Sequence, residues 1–221
     1  MCGRYTLTVV GPQLVGERFE LGEAELEPAT LGRFNVCPTE DILVVTHKGP
    51  RALRWGLVPS YAKSIGQAPL MINARAASVA SKKVFARLLE RPERRCLVIA
   101  DGWYEWLKPE KKGEPRVPFH YQIDGGALFA FAGLCDVAKI DDVWVPSATI
   151  LTTTANAVSA PVHDRMPVVL AGPDEEAAWM QGGDLELLGP IAAERTSAAP
   201  ANPAVNKAGV EGPELLVAPA A

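Results

Sequence analysis

Arg95-Cys96-Leu97-Val98-Ile99-Ala100-Asp101-Gly102-Trp103-Tyr104-Glu105-Trp106 opens on an apolar strand, Cys96 to Ala100, and closes on a glutamate flanked by three aromatic residues. Outward from it, Cys2 to Val10 reads as extended. Asp41 to Thr46, Ala52 to Leu57, Phe119 to Ile123, Ala127 to Leu134 and Val143 to Thr154 read as strands. Helical spacing is confined to three segments. Pro12 to Leu21 carries Leu14, Val15, Phe19 and Leu21. Ser81 to Glu90 gathers Val84, Phe85, Leu88 and Leu89 on one face, with Ser81 expected to cap its start. Pro173 to Trp179 opens with acids where the helix dipole favours them. Strands outnumber helices and do not alternate with them regularly. That argues against a doubly wound parallel sheet and for an α+β, mainly antiparallel or barrel-like fold. No repeat or linker divides the chain, so residues 1–221 read as a single domain. Ala192 to Ala204, rich in Ala, Pro and Ser, reads as a loop, and Leu216 to Ala221 as a loose end.

The 221 residues are enough for one domain with a real core, and 48% hydrophobic with 22% charged content is ordinary for a soluble protein. No apolar run approaches the roughly 20 residues of a membrane helix. The start, Met1-Cys2-Gly3-Arg4-Tyr5, lacks a basic-then-apolar signal pattern, so a cytoplasmic protein without a membrane partner is expected. A net charge of −4 excludes a uniformly basic surface but not a local basic cleft. The four cysteines, Cys2, Cys37, Cys96 and Cys135, form no CxxC pair, and no two histidines are spaced as zinc ligands. No metal or other cofactor is expected. Cys37, Cys96 and Cys135 read as buried small hydrophobes.

The chemistry-bearing motifs each have a plain alternative. Removal of Met1 would leave Cys2 with an amine and a thiol on adjacent carbons. Their reference pKa values are about 8 and about 8.5. The amine can condense with an aldehyde to an imine, and the thiol can close onto it as a thiazolidine. Taken alone, the position is equally an accident beside the start codon. Glu105 among Trp103, Tyr104 and Trp106 is either an acid/base with a pKa raised by partial burial or a solvated edge glutamate. The tryptophans are either core or platforms for unpaired bases. His163 lies in the polar loop Pro161-Val162-His163-Asp164-Arg165-Met166-Pro167 and is the best placed of three histidines for proton transfer. In Asn73-Ala74-Arg75, Asn73 offers donors and an acceptor and Arg75 a fork for phosphate; a turn asparagine and a surface arginine are the plain reading.

Taken in order, Cys2-Gly3-Arg4-Tyr5, Asn35-Val36-Cys37-Pro38-Thr39, Arg54-Trp55-Gly56-Leu57-Val58-Pro59, Asn73-Ala74-Arg75-Ala76, Arg95 through Trp106, Ala132-Gly133-Leu134 and His163-Asp164-Arg165-Met166-Pro167 resemble the SRAP family, the SOS response-associated peptidases. The resemblance implies twisted β-sheets forming an open barrel with helices around it, and a single-stranded DNA cleft beside the N-terminus. It implies loss of Met1 and a thiazolidine crosslink between Cys2 and the ring-opened aldehyde of an abasic site. In that scheme Asn73 positions the amine and the sugar, Glu105 moves protons during crosslink formation and reversal, and His163 acts on the sugar oxygen. Arg4, Arg75 and Arg165 hold phosphates, and Trp106 with Pro38 packs near the lesion. The implied partner is single-stranded DNA containing abasic sites, bound by a monomer that is nucleoid-associated when on DNA. Two other readings compete: a cysteine peptidase or amidase acting mainly in autocatalytic removal of Met1, and a non-covalent single-strand binder.

Overall fold

The computed structural model describes residues 2–66, 69–109, 111, 113–183 and 185–219. Its strands, in chain order, are β1 (Arg4–Leu7), β2 (Arg33–Val36), β3 (Asp41–Thr46), β4 (Gly49–Trp55), β5 (Asn73–Arg75), β6 (Arg95–Ala100), β7 (Gly102–Leu107), β8 (Val117–Ile123), β9 (Phe129–Ile140), β10 (Val143–Thr154), β11 (Arg165–Pro167), β12 (Val169–Leu170) and β13 (Thr196–Pro200). The helices are α1 (Pro12–Phe19), α2 (Ala76–Val79), α3 (Lys83–Leu89) and α4 (Pro173–Met180). The expected α+β fold with a mainly antiparallel barrel-like core and peripheral helices is what the chain adopts.

The barrel is the ring β10-β4-β3-β6-β9, which closes because β9 also pairs with β10. All its pairings are antiparallel except β10 with β4. Strand alternation then sorts the side chains. Val44 faces Val98, and Val98 faces Phe131, so Ile42, Val44, Leu53, Trp55, Val98 and Phe131 share the inner side. Leu97, Ile99 and Leu134 point outward and are covered by α3 and α4, whose Leu88 and Trp179 are buried. Trp179 Nε1 donates to the Cys96 carbonyl at 3.1 Å, tying α4 to β6.

One end of the barrel is capped by a second sheet, ordered β13-β8-β7-β1-β2. Tyr5 and Trp103, register partners on β1 and β7, present their rings to the barrel. Tyr5 meets Trp55 and Phe131 edge-on with centroids 5.3 and 5.8 Å away, and Trp103 meets Phe131 at 6.3 Å. The outer face of this sheet is covered by the C-terminal segment: Tyr104 packs with Ala201, Val205 and Leu215.

Three local expectations are corrected. Residues 192–204 are not a plain loop, because Thr196–Pro200 forms edge strand β13 along β8. Only Thr196 of that strand is buried, so no alternating pattern marks it. The start of the tail is docked: Leu216 packs against the Tyr104 cluster and the Ala218 N–H donates to the Pro200 carbonyl at 3.1 Å, while the side chains of 217–219 are exposed. Residues 220 and 221 lie outside the described residues. Ser81 does not cap α3; its hydroxyl donates to the Ser78 carbonyl at 2.9 Å, and Lys82 is the cap residue.

Beneath β1 lies a buried polar network. Thr6 Oγ1 donates to Asp101 Oδ1 at 2.6 Å and lies 3.2 Å from His120 Nε2, which donates to it in the neutral Nε2–H tautomer. The Thr8 N–H and hydroxyl both donate to Asp101 Oδ2 at 2.6 Å. Gly102 is required here, since a Cβ would come within 2.8 Å of Thr6 Oγ1 and closer still to the His120 ring. Burial holds His120 down at about 4, below its ordinary 6.5. A histidine that resists protonation when folded contributes stability fully present above its unfolded pKa. That stability is lost as pH falls from about 6.5 towards 4. The acid limb of chemical denaturation should therefore be shallower in His120→Gln than in the wild type, by on the order of 3 kcal/mol between those limits. Parallel acid limbs would refute this.

Candidate active site

Cys2 lies two residues before the start of β1 and is fully buried. Its carbonyl accepts a 2.6 Å hydrogen bond from Asn73 Nδ2, and its Sγ lies 3.8 Å from the Arg4 carbonyl. Asn73 begins β5, held in parallel register beside Ile150 of β10. The bond therefore joins the start of the capping sheet to the rim of the barrel. Asn73 Oδ1 is buried and has no hydrogen-bond partner among the described residues. A buried acceptor in that state is costly and marks a position where a donor is wanted. Met1 lies outside the described residues, so the geometry of the site begins at Cys2.

Glu105 lies within β7, not at the end of the preceding strand, because the chain turns at Asp101 and starts a second strand at Gly102. That puts Glu105 on the same face as Trp103, opposite Phe119 of β8, and buries it. Burial raises the carboxyl above its ordinary value, and Arg165 pulls against that rise. The Cys2 thiol is pushed far up, chiefly by burial and then by the negative field of Glu105. Burial thus raises the pKa of both groups.

His163 and Arg165 arrive on the loop after β10. Asn156 shapes this loop: its Oδ1 accepts the N–H groups of Val158 and Ser159 at 3.2 and 3.0 Å, and the His163 N–H bonds back to the Ser159 carbonyl. His163 Nδ1 lies 3.0 Å from the Arg165 N–H and 2.8 Å from Asp164 Oδ1. It accepts from the first when neutral and can donate to the second when protonated. Burial lowers its pKa, which favours the neutral ring. Arg165 opens β11, opposite Thr154, and its buried Nη1 has no hydrogen-bond partner among the described residues. Arg75, at the end of β5, is exposed.

Cys2, Asn73, Glu105 and Arg165 are therefore joined by direct or electrostatic contact, and the His163 loop supplies Arg165. The remaining sequence candidates sit differently. Arg4 Nη1 donates to Asn35 Oδ1 at 2.8 Å and to the Val205 carbonyl at 2.6 Å, under the C-terminal segment. Trp106 is half-buried on the face of β7 opposite Glu105, and its Nε1 donates to Asn206 Oδ1 at 2.7 Å. Pro38 is half-buried between β2 and β3. Two contributors were given no role from the sequence, although Asn35 heads one of its motifs. Asn35, wholly buried, also donates to the Lys207 and Val210 carbonyls and so fixes Arg4. Tyr121 stacks on Trp103 at 5.2 Å and shares the face of Glu105. Its place on the strand Phe119 to Ile123 was readable, but its link to Glu105 needed the β7–β8 register. Among the described residues no group of three or more His, Cys, Asp or Glu could hold a metal ion.

The family model described as SOS response associated peptidase (SRAP) matches residues 1–208. The chain is 35% identical over 189 residues to the abasic site processing protein YoaM of Bacillus subtilis, covering 81% of this chain and 79% of that one. It is 32% identical over 231 residues to YoqW, another abasic site processing protein of B. subtilis, covering 98% and 99%. A crystal structure of a protein from Bacteroides thetaiotaomicron superposes with a TM-score of 0.87 at 20% identity, over 99% of this chain and 100% of that one.

The opposition of burial and Arg165 at Glu105 has a measurable consequence. Carboxyl-carbon NMR should find Glu105 titrating above the ordinary glutamate range, and Arg165→Gln should raise it further by removing the opposing cation. An unchanged or lower value in Arg165→Gln would show that the two side chains are not coupled.

Proposed function

The chain belongs to the SOS response-associated peptidase family, and from that premise we propose that it captures abasic sites in single-stranded DNA through Cys2, as a covalent crosslink, once Met1 is removed. Relatives named abasic site processing proteins support the handling of abasic sites as its role. The observation that carries the finer reading is the Asn73 clamp. Nδ2 holds the Cys2 carbonyl, and the buried, unfilled Oδ1 of the same amide is an acceptor for an N–H of the new α-amine.

The chemistry follows from these groups. The Cys2 amine adds to the aldehyde of the ring-opened sugar, and the resulting carbinolamine loses water to give an imine. Glu105, whose pKa burial raises, supplies the proton that lets hydroxide leave as water. The Cys2 sulfur then adds to the imine carbon while its proton passes to nitrogen, closing the thiazolidine. The same carboxyl returns a proton to nitrogen or sulfur during reversal. His163, neutral and beside Asp164, acts on the sugar ring oxygen during opening. The buried Nη1 of Arg165 and the exposed fork of Arg75 hold phosphates on either side. Pro38 flanks the lesion as a packing surface, while Trp106, on the other face of β7 and bonded to Asn206, anchors the C-terminal segment rather than packing near the lesion. Arg4, engaged by Asn35 and Val205, acts mainly by fixing the strand that carries Cys2, which revises its expected part as a phosphate ligand.

Full burial of Cys2 and its raised thiol pKa favour capture over a peptidase that turns over unrelated peptides, since such an enzyme needs an accessible thiolate. Mature protein mixed with an abasic single strand should give a shifted band that survives heat and denaturant. Cys2→Ala should abolish it. Cys2→Ser retains the amine but forms no thiazolidine, so its product should persist only after borohydride reduction of the imine. A normal heat-stable band from Cys2→Ala would sink the mechanism.

A further inference from the structure

The barrel has a second mouth, opposite the capping sheet. β3 and β10 run between the two ends, with Ile42 and Thr152 towards the cap and Thr46 and Pro146 away from it. At the far mouth a cavity of about 430 Å³ is lined by Arg51, Leu53, Arg94, Cys135, Val137 and Pro146, among others. Small-molecule sites recur in the mouths of β-barrels. Lys48, Arg51 and Arg94 bring positive charge to this one, against Glu93 and Asp136. Asp136 is largely spoken for: it is ion-paired with Arg87 and lies 3.6 Å from Arg94.

Cys135 lies in the wall of this cavity, and Cys96 is enclosed behind it. They stand on neighbouring strands, β6 and β9, on the same side of the sheet. Cys96 is opposite Gly133, two positions along the strand from Cys135. Gly133 leaves room for the Cys96 sulfur to turn along the strand, since a Cβ there would sit 2.9 Å from it. The two thiols are not equivalent. The Cys135 pKa is lowered against the effect of burial, first by the neighbouring Cys96 side chain and also by Arg94 of the same cavity. Burial pushes Cys96 well up. Cys135 is the member at the opening, with Arg94 lining the same cavity, so it is the thiol that a small oxidant meets first.

We infer that Cys135 and Cys96 form a dithiol site at the far mouth of the barrel that reacts with hydroperoxides, separate from the Cys2 chemistry. The Cys135 thiolate attacks the terminal peroxide oxygen. The O–O bond breaks, leaving a sulfenic acid on Cys135 and an alkoxide or hydroxide that takes up a proton. The Cys96 sulfur then attacks the Cys135 sulfur. The S–O bond breaks, hydroxide leaves with the Cys96 proton as water, and a disulfide joins β6 to β9. Two thiols are oxidised by two electrons, and hydrogen peroxide is reduced to two waters.

The test is peptide mapping of the mature full-length protein after hydrogen peroxide, with alkylation under denaturing conditions. Cys37, which is buried and has a raised pKa, is the internal control. Cys135 should lose its free thiol at least about tenfold faster than Cys37. Cys96 should be lost in step with it, and a reductant-sensitive Cys96–Cys135 peptide pair should appear. Cys135→Ala should protect Cys96, and Cys96→Ala should leave a sulfenic acid on Cys135 that dimedone traps. The inference is overturned if Cys135 in the wild type reacts no faster than Cys37, or if it oxidises without linking to Cys96. The result is independent of Cys2, so it does not bear on crosslinking to DNA.

Discussion

The seating of Tyr5 and Trp103 against Phe131 is the contact on which the site depends. These rings are register partners on adjacent strands, and both meet Phe131 at an angle inside the barrel mouth. Each such aromatic pair is worth roughly 0.5–1.5 kcal/mol beyond the area it buries. Their larger consequence is geometric. Cys2 lies three residues before Tyr5, and Glu105 lies two after Trp103, so one aromatic plug sets the depth of both. The Asn73 bond to the Cys2 carbonyl then fixes the N-terminus from the barrel side. The Thr6–Asp101–Thr8 bonds fix it from the opposite face of the sheet.

That arrangement explains why burial serves the chemistry. An exposed amine–thiol pair would meet any aldehyde in solution. In the proposed chemistry the pair is instead buried beside Glu105, whose pKa burial raises, so that a proton donor stands next to the reacting amine. The buried acceptor of Asn73 and the buried Nη1 of Arg165 are polar atoms for which the protein supplies no partner among the described residues. Left unfilled they cost stability, and in the proposed function the freed Cys2 amine and a DNA phosphate recover it. The C-terminal segment contributes indirectly, through Asn35 and Val205, by immobilising Arg4 at the start of β1.

Much of the barrel was legible because its strands are buried and apolar. Asp41–Thr46 and Val143–Thr154 were bounded as found, and Cys96 to Ala100 within one residue. Edge strand β13 was not, because Thr196-Ser197-Ala198-Ala199-Pro200 is small, mostly exposed and paired along one side, which leaves no period to read. At the site, Cys2, Asn73, Glu105 and Arg165 were named from residue chemistry and from motif resemblance, and the fold brings them together. The opposite faces of Glu105 and Trp106 follow from β7 being a strand in its own right, which the glycine at 102 conceals. The inequality of Cys96 and Cys135 was also hidden. It arises from register across β6 and β9, and neither cysteine's sequence neighbours report it.

In the proposed function Cys2 reacts as an N-terminal residue carrying both an amine and a thiol. Intact-mass measurement of the purified protein, before and after incubation with an abasic single-stranded oligonucleotide, tests it most directly. The starting mass should lack Met1, and the product should equal protein plus oligonucleotide less one water. A chain that retains Met1 and still forms that adduct would contradict it, as would a Met1-free chain whose mass does not change.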